Sequence, residues 1–477
     1  MGVSDSARVA FPEANYLVLA TRLVPGLDGG AAIATVARAR QMAEFGVHGG
    51  AGPLLLTVDP GTSAEHAAHR QTLHDRGDGV VARRMRNLFD EAADPNGGAA
   101  PWLRQAAQLG SGAGRSASGV SYRTITDAYD RPVLNLPVVS GDPHWHASTA
   151  DIRVYDADAE VIGVLAGFGA LYRAWLQHVV AQLRAAAGSA RHTVAVCESR
   201  QFGELLVPWT DPDVRVLQAV HNTHLDAPYT VDAPLNPLTE RWLPFAEFMD
   251  AVLWLTPAQR DDVVRRFGTR ARHLVCPNGV RPPASVVARE QRAPDRAVML
   301  ARLAPVKRIE HAIRAYAAVL HRIPEATLDI HGDGAEREYL QGVITELGLD
   351  AAVTLRGVTD DPGAVLDQAS VMLCTSMYEG QPLALIEALG RGCPVVSYDV
   401  RYGPADLLTA GGGILVPDGD QLALAAAIVQ VLSHPDVWTH LSETAVTSAR
   451  QADPAAAMSA LAAAATTALA TPSRRSV

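Results

Sequence analysis

The chain has 477 residues, 48% of them hydrophobic and 19% charged, with a formal net charge of −10. That is enough apolar material for two or three domains with large cores, and the acidic balance excludes nonspecific nucleic-acid binding through a basic surface. Cys197, Cys276, Cys374 and Cys393 stand far apart without a CxxC, which points to buried thiols in a reducing cytoplasm rather than to a disulfide framework or a zinc site.

The start, MGVSDSARVAFPEANY, lacks a charged-then-apolar signal architecture, and MGVSDS matches the myristoylation pattern over too few residues to carry weight. NYLVLATRLV (15–24) reads as a buried strand, GLDGG (26–30) as a tight loop, and AAIATVARARQMAEFG as a helix closed by Gly46. PLLLTVD follows as a second strand. Strand, glycine turn, helix, strand is the opening of a doubly wound α/β domain, so Gly29 and Gly30 are expected to line a crevice at the carboxyl end of the sheet.

From about residue 60 to 165 the pattern changes. A polar, helix-like segment with several His and Arg precedes GSGAGRSASG (110–119), VSYRTITDAYDRPVLNLP and ADIRVYDADAEVIGVL. The last two alternate apolar and polar residues around short turns, which predicts antiparallel strands inserted into the α/β domain, with edges that offer a route to homo-oligomers. GSGAGRS lacks the GK[ST] of a phosphate loop and reads as a connector. Asp156 and Asp158 form a DxD, but between two alternating runs they read as a hairpin turn. HWH at 144–146 falls in a loop of the insertion and reads as an exposed aromatic turn, with acceptor contact as the alternative. VIGVLAGFGALYRAWLQHVVAQL (161–183) carries Arg173 and His178, so no integral membrane segment is expected; peripheral contact at the inner membrane face is left open.

HTVAVCES (192–199), VRVLQAVHNTH (214–224) and LWLTPAQRDDVVRRFG (253–268) resume parallel-type strands, and CPNGV (276–280) reads as a hinge. A second regular βα series follows: AVMLA, ATLDIHGDG, AVTLRG, SVMLCTSMYEG, PVVSYD and GGGILVP, separated by helices. The α/β architecture is therefore two Rossmann-like halves facing a cleft, over 1–275 and 276–450, followed by a C-terminal helix and tail over 451–477.

ARLAPVKRIEHA (301–312) holds Lys307, the only lysine; every other one of the 41 basic residues is arginine. Lysine offers a compact point charge where arginine offers a wide planar fork, which suits one phosphate oxygen in a tight pocket.

ARLAPVKR, HGDGAEREYL, LRGV and YEGQPLALIEALGRGCPVV, in this order, resemble the donor half of retaining GT-B glycosyltransferases of family 4, with Glu379 and Glu387 as the E-x7-E pair. CPVVSYDVRYGPADLL, VHNTHL and the β-rich insertion further resemble the branch containing poly(glycerol-phosphate) α-glucosyltransferases and the glycosyltransferases of serine-rich adhesins. The resemblance implies a metal-independent enzyme without cofactor that moves a hexose, glucose or N-acetylglucosamine, from a UDP-linked donor to a hydroxyl of a cell-envelope polymer, glycolipid or protein. Arg302 and Lys307 would meet the charge that develops on the leaving β-phosphate. Backbone N–H groups of the Gln381–Leu383 stretch would add the positive end of a helix. Glu379 would accept from sugar hydroxyls and Glu387 from the ribose. Gly332, Gly357, Gly380, Gln381, Pro382 and Leu383 complete the implied donor set. His221, at the end of VLQAV, would reach across the cleft to the reacting centre, and His224 shares or competes for that role; a His-x-x-His metal pair lacks an acidic third ligand. A catalytically silent GT-B subunit would be expected to lose Lys307, Glu379 or Glu387. A GT-B phosphorylase or sugar-nucleotide epimerase would need different catalytic groups, and a phosphorylase a pyridoxal-phosphate lysine in this half, where the one lysine holds the implied donor-phosphate position.

Overall fold

The computed structural model describes residues 9–24, 29–109, 120–138, 145–186 and 190–475. The MGVSDS start, most of the 26–30 loop, the 110–119 connector, His144 and the last two residues of the tail lie outside the described residues. In chain order the strands are β1 (Asn15–Ala20), β2 (Leu54–Thr57), β3 (Met85–Asn87), β4 (Ser121–Thr126), β5 (Pro132–Val138), β6 (Asp151–Tyr155), β7 (Val161–Ala166), β8 (Thr193–Cys197), β9 (Val214–Val220), β10 (Ala251–Trp254), β11 (His273–Val275), β12 (Arg296–Leu300), β13 (Thr327–His331), β14 (Val353–Gly357), β15 (Val371–Cys374), β16 (Val395–Tyr398) and β17 (Gly413–Val416).

Strands β1, β8, β9 and β10 are buried along their whole length, as continuous apolar runs become when helices cover both faces of a parallel sheet. They form the centre of a seven-stranded parallel sheet ordered β11-β10-β9-β8-β1-β2-β3. The second half is a six-stranded parallel sheet ordered β14-β13-β12-β15-β16-β17. Both carry functional loops at the carboxyl ends of their strands, and those ends face one another.

The insertion starts later in the chain than its composition suggested. Within the 60–165 range, β3 pairs in parallel with β2, Leu56 opposite Arg86, so this part continues the large sheet. Its brevity hid it, since three residues carry no readable period. The antiparallel part is β4-β5-β6-β7. One face of that sheet, including Leu134, Ile152 and Val154, joins the core of the large sheet through the helices Pro101–Leu109 and Gly167–Ala185. Asp156 and Asp158 form the β6–β7 hairpin turn: Asp156 Oδ1 accepts from the backbone N–H of Asp158 (3.0 Å) and Glu160 (2.9 Å).

The C-terminal helix Pro454–Leu469 is not a separate appendage. Met458, Leu461 and Ala465 pack with Tyr16, Val18 and Leu217 of the first domain. Arg475 then forms a fully buried ion pair with Asp250 at 2.8 Å. The chain thus crosses back, and the helix Pro454–Leu469 and Arg475 pack onto the first domain. All four cysteines are free and buried. Among the described residues, no helix is long and apolar enough to cross a membrane.

Candidate functional site

The cleft between the sheets holds a cavity of about 520 Å³. On the second-domain side the chain leaves β12 through ARLAPVK, and Pro305–Lys307 makes one 3-10 turn. Arg308 follows in the left-handed region (φ 44°) ahead of the helix Ile309–Leu320. Its guanidinium donates to the carbonyls of Thr375 (3.0 Å) and Ser376 (2.8 Å), pairs with Asp418 and lies over the Tyr398 ring. The Thr375 hydroxyl donates to Lys307 O at 2.8 Å, and Met377 N–H to Val306 O at 2.8 Å. The loop after β15 is thereby stitched to the loop after β12, and this registers their side chains.

The result is a pair: Lys307 Nζ donates to Glu379 Oε1 at 2.6 Å, and Ser376 Oγ donates to the same oxygen at 2.7 Å. Burial disfavours the ammonium, but the Glu379 carboxylate more than offsets it, and the Lys307 pKa is raised. Arg302 is exposed at the cavity wall. A fixed cation with its counter-carboxylate and a second cation on the free wall make an anion site that an incoming phosphate can enter without a dehydrated, unpaired charge waiting for it.

The glycines divide by role. A Cβ on Gly332 (φ 148°) would lie 1.8 Å from Ala301 O, so the HGDG loop can lie against the β12 loop only without a side chain. Gly357 accepts from Gly332 N–H at 2.8 Å and supports the cleft from beneath; the wall itself is made by Val358 and Thr359. A Cβ on Gly380 would meet His221 O at 2.2 Å, so this glycine lets the two domains touch. Gly29 and Gly30, at the start of the helix Gly30–Glu44, line the cavity from the first domain.

Gln381 uses its side chain on the hinge, accepting from Asn278 N–H at 2.7 Å. Pro382 has no N–H and serves as N-cap of the helix Leu383–Gly390, so the free donors at the helix start come from Leu383 and Ala384. Glu387, one turn on, lines the same cavity. Burial raises its pKa, with Arg391 opposing, and its carboxylate has no hydrogen-bond partner among the described residues.

His221 lines the cavity at the end of β9, and its Nε2 meets Glu198 Oε2 at 2.5 Å. His224 does not reach the cleft. It is fully buried and stacks on Tyr402 of the second domain with centroids 5.6 Å apart. Burial, reinforced by Arg266, Arg200 and Arg401, holds it down at a pKa of about 3. It is an interdomain packing residue.

A second cavity, of about 560 Å³, opens from the first at Gly29, His221 and Asn222 and runs into the first domain. Trp145 and His146 form part of its wall, so these two residues do not make an exposed turn: His146 is buried, and its Nδ1 meets Tyr172 Oη at 2.7 Å. Asp59, Glu198 and Arg200 also line it. Asp59 is 3.4 Å from Nε2 of the buried His66, whose Nδ1 is 2.7 Å from Asp90.

Sequence reasoning missed Glu198, Arg38, Ser376 and Arg308. The signal for the first was present: a carboxylate ending the apolar run of β8 sits where functional side chains of such sheets sit. Arg38 was hidden because a basic residue in a helix reads as solvent-facing. Among the described residues, no group of three or more His, Cys, Asp or Glu is placed to hold a metal ion.

Residues 286–448 match the family described as Glycosyl transferases group 1. The poly(glycerol-phosphate) alpha-glucosyltransferase of Bacillus subtilis (strain 168) is 33% identical over 199 residues, 41% of this chain and 30% of that enzyme. The poly(ribitol-phosphate) alpha-N-acetylglucosaminyltransferase of Staphylococcus aureus (strain COL) is 30% identical over 136 residues, 28% of each. The matched segments thus span less than a third of either relative. The pneumococcal O-GlcNAc transferase GtfA, solved with UDP and GlcNAc, superposes with a TM-score of 0.69 at 16% identity over 96% of this chain and all of that one. The overall fold is of the GT-B type.

Proposed function

We propose that this chain, which carries a group 1 glycosyltransferase domain within a GT-B fold, is a retaining glycosyltransferase. It moves a hexose, glucose or N-acetylglucosamine, from a UDP-linked donor to a hydroxyl of a cell-envelope polymer or protein. The observation that carries this reading is the convergence of Lys307, Glu379, Arg302 and Glu387 on one interdomain cavity.

In this reading the diphosphate lies against Arg302, Lys307 and the start of the helix Leu383–Gly390. Charge grows on the β-phosphate oxygen as the glycosidic bond breaks, so cations held there favour the transition state over the ground state. Glu379 accepts from hexose hydroxyls, and Glu387 from the ribose. Attack comes from the same face as departure: the leaving phosphate takes the acceptor proton, and no protein nucleophile is assigned. The acceptor approaches through the second cavity, past Trp145 and Arg200. The names of the Bacillus and Staphylococcus relatives support a polyol-phosphate polymer as acceptor, and that of GtfA supports a protein hydroxyl.

The test is donor hydrolysis by purified protein across UDP-, GDP- and ADP-linked glucose and N-acetylglucosamine, with and without a glycerol-phosphate oligomer. One UDP-sugar should be turned over, faster with acceptor. No turnover, together with no nucleotide binding, would favour a silent subunit instead.

A further inference from the structure

Three elements of the first domain bring a chain of buried polar groups behind His221. Arg38, on the helix Gly30–Glu44, has its Nε 2.9 Å from Glu198 Oε1, with both side chains almost fully buried at 4% and 2% exposure. The other oxygen, Oε2, meets His221 Nε2 at 2.5 Å. Arg38 Nη1 also donates to Cys276 Sγ, 3.2 Å away in the hinge segment. Burial holds that thiol protonated, its pKa raised, so the charge answering Arg38 is Glu198. A buried carboxylate is costly on its own; the Arg38 guanidinium, together with the hydrogen bond from His221, outweighs the burial and keeps Glu198 ionised, its pKa lowered.

An ionised carboxylate can only accept hydrogen bonds. The short contact to Nε2 therefore requires that Nε2 carry the proton, and in the neutral ring Nδ1 is then an acceptor. Nδ1 is the ring nitrogen left for a ligand in the cavities that His221 lines.

We propose that Arg38 and Glu198 are positioning residues that lock His221 as the Nε2–H tautomer, so that Nδ1 presents a lone pair to a sugar hydroxyl in the cleft. This rests on the glycosyltransferase reading for the identity of the ligand, but not for the tautomer. Glu198→Gln tests it sharply. The Gln amide can donate to Nε2, which moves the ring proton to Nδ1 and turns an acceptor into a donor without removing a side chain.

The experiment is ring-nitrogen NMR on ¹⁵N-histidine-labelled protein, with His221→Asn used only to assign the signal, alongside steady-state kinetics. In the unaltered protein His221 should show a protonated Nε2 and a bare Nδ1. In Glu198→Gln the pattern should invert and turnover should fall about 10- to 100-fold, by analogy with the loss of groups that orient metal-binding histidines, with donor KM changed little. Glu198→Asp should keep the original tautomer and recover most of the turnover, which a merely space-filling role would not produce. A protonated Nδ1 in the unaltered protein overturns the proposal, as does a Glu198→Gln protein with the original tautomer and full turnover. The unaltered spectrum decides even where the Gln variant does not fold. Because that spectrum needs no turnover, the expected tautomer in a protein that turns over no sugar nucleotide would retire the function and leave the lock standing.

Discussion

Lys307 and Glu379 are hydrogen-bonded to each other at 2.6 Å, across two loops held in register by Arg308 and Thr375. The resemblance assigned them to different parts of a donor, the phosphate and the sugar. Their pairing means that the charge and position of each depend on the other before any ligand arrives. The solitary lysine of this arginine-rich chain is half-buried against Glu379, with side-chain exposures of 25% and 13%, and in the proposed function the donor phosphate lies on its free side.

Lys307→Arg should therefore fail nearly as badly as Lys307→Ala. The guanidinium keeps the charge but cannot occupy the same point without displacing Glu379 or crowding Arg302. Either change should lower turnover roughly 10²- to 10³-fold, the scale for one preorganised transition-state donor, with circular dichroism unchanged. Near-normal turnover in Lys307→Arg would show that size is not what the position selects.

Glu379→Gln and Glu387→Gln should separate in kinetics. The first should reduce chiefly kcat, the second chiefly nucleotide affinity, each by about 1.5 to 3 kcal/mol for a charge-assisted hydrogen bond. Glu387→Gln should also raise the melting temperature of the ligand-free protein at pH 7. A carboxyl whose folded pKa is raised by burial opposes folding once pH exceeds its unfolded pKa, and the amide removes that opposition. Equal kinetics for both variants, or a lower melting temperature for Glu387→Gln, would contradict these assignments.

The donor half was legible because its signals are local. Each strand is an apolar run, each loop carries its Gly, Lys or Glu within a few residues of a strand end, and the motifs follow in order. What was not legible depends on contacts across sequence distance. The Arg38–Glu198–His221 chain joins residues spread over three elements, and no window spans them. His224 stands three residues after His221 in the same loop; its burial between Trp254 of its own domain and Tyr402 of the other has no local signal. The return of the C-terminal helix to the first domain was equally hidden, since an Ala-rich stretch with little contrast between its faces does not say which surface it covers.

The pH dependence of stability should carry the mark of His66. Burial disfavours its charged form, but Asp59 and Asp90 outweigh this and raise its pKa to about 9. A group whose folded pKa is raised contributes stability that is fully present below the unfolded value near 6.5 and is lost as pH rises through about 9, here on the order of 3 kcal/mol. Urea midpoints should fall between pH 6 and pH 9.5 in the unaltered protein. In His66→Gln they should be lower at pH 6 and much flatter. Parallel curves for the two proteins would show that this histidine is not charged in the fold.

Turnover should survive EDTA, because Arg302, Lys307 and a helix start are assigned the work that a divalent ion does elsewhere, while Asp156 is spent on its hairpin. Loss of activity with chelator and its return with Mg²⁺ or Mn²⁺ would reopen the assignment of the phosphate site.

The central claim is that the cavity between the two sheets takes a nucleoside diphosphate at Lys307. Calorimetric titration of UDP, GDP and ADP into the unaltered protein and into Lys307→Ala tests it most directly. UDP should bind one per chain, and the variant should bind it about 10- to 100-fold more weakly, the loss expected for one charged hydrogen bond. No binding of any of the three, or equal UDP affinity in the two proteins, would contradict the claim.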